Sequence, residues 1–293
     1  MSSMPYDKMT GKIWMDGSLV EWQDAKLHVL THGLHYASTV FEGERVYEGE
    51  IFKLTEHSER LAYSAKRLGF EIPYSVSEID NFCKEVVKIQ NIKDGYVRPF
   101  AWRGSEMMAV SAQKNTIHFA IAAWVWGSYF DPKIKLHGIK LDISKWKKPA
   151  PDSIPWDAKA AGNYMINTLS KHEAEKNGFN DSMMLDYQGN IAEATGANVF
   201  FINQNQTEIF TPIADSFLNG ITRRTVIEIA KNFKIKVIEK KIKPEDLKNY
   251  SGCFLTGSAA EVTPVSQVGD YSFKVLDLIG KLSDQYQLLV RKK

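Results

Sequence analysis

The run Glu193-Ala194-Thr195-Gly196-Ala197-Asn198-Val199-Phe200-Phe201 places a carboxylate before a small turn that contains a glycine. A strand-like apolar run follows the turn. Taken alone, a glutamate in such a place is more often a solvated loop acid than a functional group. Whether Glu193 has a functional role therefore depends on the other candidate functional residues in the chain.

Two further turns of small residues lie downstream of this run. Gly220-Ile221-Thr222-Arg223 resembles a helix start, whose unused N–H groups and threonine hydroxyl can face a phosphate. Leu255-Thr256-Gly257-Ser258-Ala259-Ala260-Glu261 combines hydroxyls with close access to the backbone. A plain helix start and an ordinary loop are the simpler interpretations of each turn by itself.

Lys159 lies upstream in Asp157-Ala158-Lys159-Ala160-Ala161-Gly162-Asn163-Tyr164, where small neighbours leave room around one amine. A solvated surface charge is the default for a lysine, but a buried lysine with a lowered pKa attacks carbonyls, the aldehyde of pyridoxal phosphate above all. That cofactor needs an amine, an acid at its pyridine nitrogen, a donor to its phenolic oxygen and a cup for its phosphate. Lys159, Glu193, Arg60 and the turn at Gly220 together can hold such a molecule.

Length and composition bound the class of protein. The chain has 293 residues, 44% of them hydrophobic and 25% charged, with a formal net charge of +2. This length favours two domains, and the balance of charge gives no support for a nucleic-acid partner. Cys83 and Cys253 are far apart in the sequence and do not have the spacing of a metal site or a redox motif. The first residues contain no apolar run of the kind found in secretory signals, and no apolar stretch is long enough to span a membrane. We expect a soluble cytoplasmic protein without a metal.

The predicted strands and helices fall into two groups, with a break near Gly127. Before it we expect a hairpin at Asp16-Gly17, a helix from Thr55 to Gly69 that carries Arg60, a helix from Glu78 to Gln90, and strands at Tyr96–Trp102 and Thr116–Trp126. After it we expect a strand at Ile139–Ser144 and helices at Asn163–Asn177 and Gly220–Phe233. The pattern predicts an α+β protein of two α/β domains: a small N-terminal domain over 1–126, a linker over 127–136, and a larger C-terminal domain over 137–293 that carries the lysine.

The run from Glu193 resembles the signature of the class IV aminotransferases, which are pyridoxal-phosphate enzymes of fold type IV. The resemblance continues over some thirty positions with several fixed spacings, through Asn198-Val199-Phe200, Ile209, Thr211, Leu218, Gly220-Ile221 and Arg223. It implies two α/β domains with the cofactor in the cleft between them.

The N-terminal half narrows this resemblance. The stretch His32-Gly33-Leu34-His35-Tyr36-Ala37-Ser38-Thr39-Val40-Phe41-Glu42-Gly43-Glu44-Arg45 is similar to a segment of the branched-chain amino-acid aminotransferases. The related D-amino-acid aminotransferases and aminodeoxychorismate lyases carry a different form there. Further similar segments are Tyr96-Val97-Arg98-Pro99, Trp126-Gly127-Ser128-Tyr129 and Gly257-Ser258-Ala259-Ala260-Glu261-Val262-Thr263-Pro264. The resemblance covers almost the whole chain.

Carried over position by position, the resemblance implies a role for each matching residue. Lys159 would link to the cofactor's aldehyde and move the proton. The other cofactor-binding residues would be Glu193 at the pyridine nitrogen, Tyr164 at the phenolic oxygen, Leu218 against the ring, and Arg60, Ile221, Thr222 and Ser258 at the phosphate. Substrate would be bound by Tyr36, Phe41, Gly43, Trp126 and Tyr129 around its side chain, by Tyr96 and the Ser258–Ala259 backbone at its α-carboxylate, and by Arg98 at the second carboxylate of glutamate or 2-oxoglutarate.

These roles predict a ping-pong transfer of amino groups between leucine, isoleucine or valine and 2-oxoglutarate. An apolar pocket rejects a carboxylate unless a cation reaches it, which gives Arg98 its purpose. Plain core packing of the aromatic residues and a structural ion pair of Arg98 stay open as alternatives. So do a D-amino-acid aminotransferase or aminodeoxychorismate lyase on the same fold, and a non-catalytic binding protein. The resemblance further implies at least a homodimer, with further assembly left open.

Four features depart from the family pattern. Ser258 stands where threonine is common and keeps the hydroxyl, whereas Asn219 replaces a usual proline and is expected to loosen the turn before Gly220. Ala197 stands where glycine or an acid is frequent. The segment around Arg103 and Glu106 is less typical and puts the substrate range in doubt.

Overall fold

The computed structural model describes residues 5–127, 129–130 and 136–291. The chain divides into two compact units, one made of Met1–Gly127 with Ala158–Asn163 and one of Ser128–Asp157 with Tyr164–Lys293. Much of the predicted linker at 127–136 lies outside the described residues, so its position stays a prediction. Within the described part of the chain, no helix is both long enough and apolar enough to cross a membrane.

The first unit is an antiparallel sheet covered by two helices. Its strands, as far as the structure describes them, are β1 (Lys12–Met15), β2 (Ser18–Glu21), β3 (Thr39–Phe41), β4 (Glu44–Tyr47), β5 (Glu50–Ile51), β6 (Gly95–Arg103) and β7 (Ile117–Val125). They follow the order β2-β1-β7-β6-β4-β5, and β3 also pairs with β6. The helices of this unit are α1 (His32–Tyr36), α2 (Leu54–Arg67) and α3 (Val76–Ile89). Leu61 of α2 and Ile79 of α3 are fully buried in one core with Val97 and Phe119 of the sheet.

Local sequence signals account for most of these elements. Asp16 and Gly17 both have positive φ, which confirms the predicted hairpin between β1 and β2. A capping box of Ser75 and Glu78 begins α3. The predicted helix that carries Arg60 is confirmed as α2, but Thr55 does not cap it. Lys53, with a φ of 52°, precedes the first residue of α2, and the Thr55 hydroxyl donates instead to Asp80 on α3.

The second unit is built on a larger mixed sheet. Its described strands are β8 (Ile139–Lys147), β9 (Asp181–Leu185), β10 (Ile191–Ala194), β11 (Asn198–Asn203), β12 (Glu208–Thr211), β13 (Lys236–Glu239), β14 (Tyr250–Gly257), β15 (Glu261–Val268) and β16 (Tyr271–Ser272). Their order is β10-β9-β8-β15-β14-β11-β12-β13, with β16 paired to β15. The helices are α4 (Met165–Lys176), α5 (Ile221–Asn232) and α6 (Asp277–Val290). The predicted helices at Asn163–Asn177 and Gly220–Phe233 are confirmed as α4 and α5.

The segment that carries Lys159 packs in the first unit, although the sequence assigns it to the C-terminal domain. Ala160 forms an isolated antiparallel bridge with Val40, and the N–H of Phe41 donates to the Lys159 carbonyl over 3.1 Å. The N–H of Lys159 donates to the Ser64 hydroxyl of α2 over 3.0 Å. Ala158 and Ala160 also belong to the core of the first unit. These contacts fix the backbone on both sides of the lysine.

Candidate active site

The Lys159 amine lies in a partly buried, charged environment of the first unit. Its Nζ is 4.7 Å from the centroid of the Phe41 ring. Removal of water is the largest effect on the amine and, helped by the positive charges of Arg60 and Arg98, it lowers the pKa of Lys159 from 10.5 to about 8 against the opposing pull of Glu42. The amine therefore spends far more time neutral near physiological pH than an ordinary lysine does.

A reagent that acylates neutral amines tests this lowered pKa directly. We expect the rate of Lys159 acylation in the cofactor-free protein to rise with pH through a midpoint near 8, because only the neutral amine reacts. The same lysine in the urea-denatured chain provides the control and should show a midpoint near 10.5. Peptide mass spectrometry across a pH series measures both. Coincident midpoints in the folded and denatured chains would contradict the described environment.

Arg60 is held by a fully buried carboxylate next to Phe41. Its Nε and Nη2 donate to the two oxygens of Glu42 over 2.6 and 2.8 Å, and Nδ1 of His57 lies 2.6 Å from the second oxygen. Burial on its own raises the pKa of Glu42, but the charge of Arg60 and the hydrogen bonds from both partners hold that pKa well below its ordinary value. Burial lowers the pKa of His57. The bidentate pair fixes the direction of the Arg60 guanidinium.

Four of the predicted substrate-binding residues form one cluster in the first unit. Arg98 lies with its Cζ 4.6 Å from the Phe41 ring centroid and 5.4 Å from the Tyr96 ring centroid, and its Nη2 donates to the Tyr96 hydroxyl over 3.3 Å. The Trp126 ring meets Tyr96 edge-on at 4.7 Å. Since Lys159 also lies over Phe41, the cluster and the amine share one aromatic ring.

The guanidinium of Arg98 has few partners for a charge so enclosed. Its Nε is buried without a hydrogen-bond partner, and Arg98 forms no salt bridge with any residue that the structure describes. The alternative of a structural ion pair therefore finds no support. A cation with an unused buried donor fits an anionic ligand better.

Gly43 matters because it lacks a side chain. A Cβ built on Gly43 would overlap the hydroxyl of Tyr96 and would lie 2.7 Å from its Cζ. Tyr96 can occupy its position in the cluster only because residue 43 leaves this space open.

The structure does not bring Tyr36 into this cluster within the chain. Tyr36 ends α1, is 46% exposed, and stacks on His32 with ring centroids 4.6 Å apart. Tyr129 belongs to the second unit, where its ring meets Phe130 edge-on at 4.7 Å.

Glu193 of the second unit is a buried strand residue rather than a solvated loop acid. It lies on β10, where a bulge between Ile191 and Glu193 shifts the register of the strand, and only 8% of it is exposed. One of its carboxylate oxygens is 2.9 Å from Nζ of Lys148, and the other accepts from Nδ2 of Asn198 over 3.2 Å. Lys148 is itself buried and also donates to Asn167 over 3.3 Å. A lysine and an asparagine thus hold the carboxylate in place in a site largely removed from water.

The start of α5 offers backbone donors. Gly220 precedes the helix, no side chain caps it, and the first-turn N–H groups of Ile221 and Thr222 have no partner within the helix. Both residues are buried. Ser258 lies in the turn between β14 and β15, and Thr256 just before it has a buried hydroxyl without a partner. Unused N–H groups and hydroxyls of this kind fit a phosphate, and the Glu193 carboxylate fits a protonated ring nitrogen.

The remaining predicted residues are placed as follows. Leu218 lies on the chain before α5, and its carbonyl accepts from Asn198 over 2.9 Å. Tyr164 ends a 3₁₀ turn, Ala161–Tyr164, directly before α4. Ala259 follows Ser258 in the turn after β14. Each of them belongs to the second unit.

Two departures from the family pattern have structural explanations. Asn219 does not loosen its turn, because its side-chain oxygen accepts from Nη1 of Arg223 over 2.9 Å and so ties the turn to α5. Arg103 is buried, donates to the carbonyls of Ala112 and Gly69, and lies over the Phe70 ring. It connects segments of the first unit, and none of its described contacts involves the Phe41 cluster.

Sequence reasoning missed Glu42, His57 and Lys148. The spacing of His57 and Arg60 on one face of the predicted α2 was a usable signal, because residues three apart on a helix are neighbours. Nothing local distinguishes Lys148 from the lysines around it, since its partner Glu193 is distant in the sequence.

Comparisons with known proteins agree with this geometry. The family model Amino-transferase class IV matches residues 39–268. A probable branched-chain-amino-acid aminotransferase of Rickettsia felis is 41% identical over 296 residues, with both chains covered completely. The branched-chain-amino-acid aminotransferase of Pseudomonas aeruginosa is 40% identical over 262 residues, covering 88% of this chain and 85% of that protein.

Solved structures give the same result. The branched-chain aminotransferase of Thermoproteus uzoniensis with norvaline superposes with a TM-score of 0.92 at 32% identity and covers 97% of this chain and 96% of its own. The branched-chain amino acid aminotransferase of Escherichia coli gives a TM-score of 0.90 at 33% identity over 97% and 95% of the two chains. The enzyme of Thermobaculum terrenum in its holo form with pyridoxal phosphate gives a TM-score of 0.87 at 25% identity over 96% and 94%.

The chain belongs to the class IV aminotransferases of fold type IV, and the predicted α+β fold is confirmed. Within that family it is a branched-chain amino-acid aminotransferase. The predicted cofactor, pyridoxal phosphate, is confirmed with the family.

Proposed function

We propose that the protein transfers amino groups between branched-chain L-amino acids and 2-oxoglutarate in a ping-pong reaction, with pyridoxal phosphate as its cofactor. The observation that carries the reaction is the Lys159 amine, whose pKa of about 8 leaves it partly neutral at physiological pH. Full-length similarity to branched-chain aminotransferases supports the substrate class.

The cofactor is assigned to residues whose chemistry fits it. Bound pyridoxal phosphate supplies an aldehyde for the amino group and a ring that accepts electrons from the substrate's α-carbon. The Glu193 carboxylate, which pairs with Lys148, would hold a proton on the ring nitrogen. As the family resemblance implies, Tyr164 would donate to the phenolic oxygen and Leu218 would pack against the ring. Arg60, the N–H groups and hydroxyl at Ile221 and Thr222, and Ser258 would bind the phosphate.

Lys159 moves the proton. In its neutral form the amine would remove the α-proton of the amino acid, and in its charged form it would deliver that proton to the cofactor's aldehyde carbon; with 2-oxoglutarate the transfer would run in reverse, to the α-carbon of glutamate. A base works best when its pKa lies near the working pH, and about 8 meets that condition. The bridge between Ala160 and Val40 fixes the backbone from which the amine reaches.

Substrate specificity is assigned to the Phe41 cluster and its predicted neighbours. Phe41 and Trp126 would contact the aliphatic side chain of the amino acid. For Tyr36 and Tyr129, which lie outside this cluster, the same role stays a prediction from the family resemblance. Tyr96 and the Ser258–Ala259 backbone orient the α-carboxylate. Arg98 binds the distal carboxylate of glutamate, and its cation lies over aromatic faces that also accept an aliphatic chain.

The absorption spectrum of the purified protein tests this proposal. We expect a visible band of the bound cofactor, and we expect L-leucine without any oxo acid to remove it as the cofactor takes up the amino group. Later addition of 2-oxoglutarate should restore the band. A band that responds to D-amino acids but not to L-leucine would support the cofactor reaction and refute the proposed specificity for branched-chain L-amino acids. No band after addition of pyridoxal phosphate would refute the cofactor assignment.

Replacing Gly43 with alanine should weaken substrate binding while the cofactor stays bound. The added methyl group overlaps the Tyr96 hydroxyl, so the ring must move away from Arg98. Overpacking of this kind costs about 1–3 kcal/mol, and we expect KM for L-leucine and 2-oxoglutarate to rise about 5- to 150-fold. Steady-state kinetics and a cofactor titration measure the two effects.

Gly280 is the matched control for this substitution. It lies on α6, and a Cβ there would meet nothing within 4 Å. Gly280→Ala should leave KM unchanged. An equally unchanged KM in Gly43→Ala would mean that the position of Tyr96 does not matter for substrate binding.

We also propose a homodimer at least, working in the cytoplasm. Val29, Leu34 and Val110 are 74%, 65% and 86% exposed, and hydrogen bonds of His32 to Gly104 and Ala109 hold the segments around them together. A second copy of the chain would remove these apolar side chains from water. Cys83 and Cys253 are buried and unpaired, which fits a reducing compartment. Light scattering should give a molar mass of at least two chains, and a monomer at micromolar concentration would refute the dimer.

A further inference from the structure

Asn198 joins two of the residues assigned to the cofactor, Glu193 and Leu218, to the glycine that precedes α5. It begins β11, pairs with Thr256 of β14, and is 4% exposed. Its Nδ2 donates to Glu193 over 3.2 Å and to the Leu218 carbonyl over 2.9 Å, while its Oδ1 accepts from the N–H of Gly220 over 3.1 Å. One side chain therefore connects Glu193 on β10 with two points of the segment that leads into α5, Leu218 and Gly220.

The amide of Asn198 makes a rigid connection. Both N–H groups of its Nδ2 have acceptors, and a planar amide fixes the angle between its donor and acceptor sides. The approach of Gly220 is so close that a Cβ on residue 220 would overlap Oδ1. The separation of the Glu193 carboxylate from the N-terminus of α5 is therefore set by the dimensions of one amide group.

We propose that Asn198 is a positioning residue that sets this separation to match the distance between the ring nitrogen and the phosphate of one cofactor molecule. The proposal rests on the assignment of pyridoxal phosphate made above. Glu193 would meet the nitrogen and the N-terminus of α5 would meet the phosphate, and Asn198 would act through Glu193 and Gly220. With this spacing, both ends of the cofactor can bind at once. When one end is bound, the other end is held next to its own binding group, so the second contact forms at a high effective concentration.

This role predicts a particular loss in Asn198→Ala. Both contacts stay in the protein, but their spacing is no longer held, so the phosphate adds less to binding. In the wild-type protein, pyridoxal phosphate should bind much more tightly than pyridoxal, which lacks the phosphate. We expect Asn198→Ala to reduce this affinity ratio by about tenfold or more, which corresponds to about 1.4 kcal/mol of lost coupling. General destabilisation would weaken both ligands equally.

The measurement is a titration of cofactor-free protein with pyridoxal phosphate and with pyridoxal, followed by absorbance and protein fluorescence. Asn203→Ala is the matched control, since Asn203 ends the same strand and makes side-chain hydrogen bonds of the same kind to Thr207 and Glu208. It should lower stability without changing the ratio. Gly220→Ala is the second variant, because its methyl group displaces the Asn198 amide from the other side. It should reduce the ratio as Asn198→Ala does.

The outcomes separate this inference from the proposed function. A wild-type protein that binds neither ligand would refute the cofactor assignment itself. A wild-type protein that prefers pyridoxal phosphate, with the same preference in Asn198→Ala and Gly220→Ala, would refute only the role of Asn198. If Asn198→Ala does not fold, an unchanged ratio in Gly220→Ala refutes the role and a reduced ratio supports it.

Discussion

The variant Lys159→Ala is expected to lose at least roughly 10⁴-fold in kcat, because one amine both links to the cofactor and carries the α-proton. The methyl group of alanine leaves no base at that point. The remaining ligands of the cofactor are untouched, so non-covalent binding of pyridoxal phosphate should persist. Half-reaction rates with L-leucine, measured by absorbance in single-turnover experiments, give the size of the loss.

Two comparisons make this experiment specific. Lys145 is an exposed lysine paired with Glu173, and Lys145→Ala should keep full activity. A small primary amine added to Lys159→Ala should restore part of the rate, because it can supply a base in the space left by the side chain. A Lys159→Ala protein that turns over at the wild-type rate would refute the assignment of the amine.

The variant Glu193→Gln is expected to lower kcat about 10²- to 10³-fold, the range typical for removal of one preorganised electrostatic contact. The carboxamide keeps the shape of the side chain but not its charge, so the ring nitrogen loses the anion that holds its proton. Removal of the α-proton should then become slower relative to the other steps. A larger kinetic isotope effect with α-deuterated L-leucine measures this change.

The same substitution leaves Lys148 buried without its counter-ion. Breaking one side of a buried ion pair costs about 3–5 kcal/mol, so Glu193→Gln should also melt at a lower temperature. The double variant Glu193→Gln with Lys148→Met separates stability from catalysis, and it should recover melting temperature but not kcat. Glu173→Gln, which breaks the exposed pair with Lys145, should change neither quantity appreciably. Recovery of kcat in the double variant would show that the loss in Glu193→Gln arose from instability.

Elements with local signals were predictable, and contacts between distant segments were not. The Asp16-Gly17 pair predicts its turn, and the spacing of apolar residues in α2 predicts a helix, each from a few neighbouring residues. The bridge between Val40 and Ala160, by contrast, joins segments that no local pattern relates. For this reason the sequence placed Lys159 in the C-terminal domain, whereas its segment packs in the first unit. The identity of the lysine as the candidate amine depended only on its small neighbours and on the family resemblance.

The charged partners of the site residues could not be predicted either, because they too come from distant parts of the sequence. Arg60 is fixed by Glu42, and Glu193 pairs with Lys148, and both pairings are made by tertiary packing. The substitution at Asn219 shows the same limit. Loss of a proline suggests a looser turn, but the hydrogen bond from Arg223 ties the asparagine in place.

The return of Ala158–Asn163 to the first unit affects how the protein can be made and divided. During synthesis, residues up to 127 emerge before Ala160, so the strand bridge of Val40 and the hydrogen bond from Phe41 wait for a later part of the chain. No cut at a single position yields two fragments that each contain one complete unit. A gene split near residue 127 would separate Arg60 and Arg98 from the amine whose pKa they lower. The amine therefore acquires its chemical character only after translation has passed the middle of the sequence.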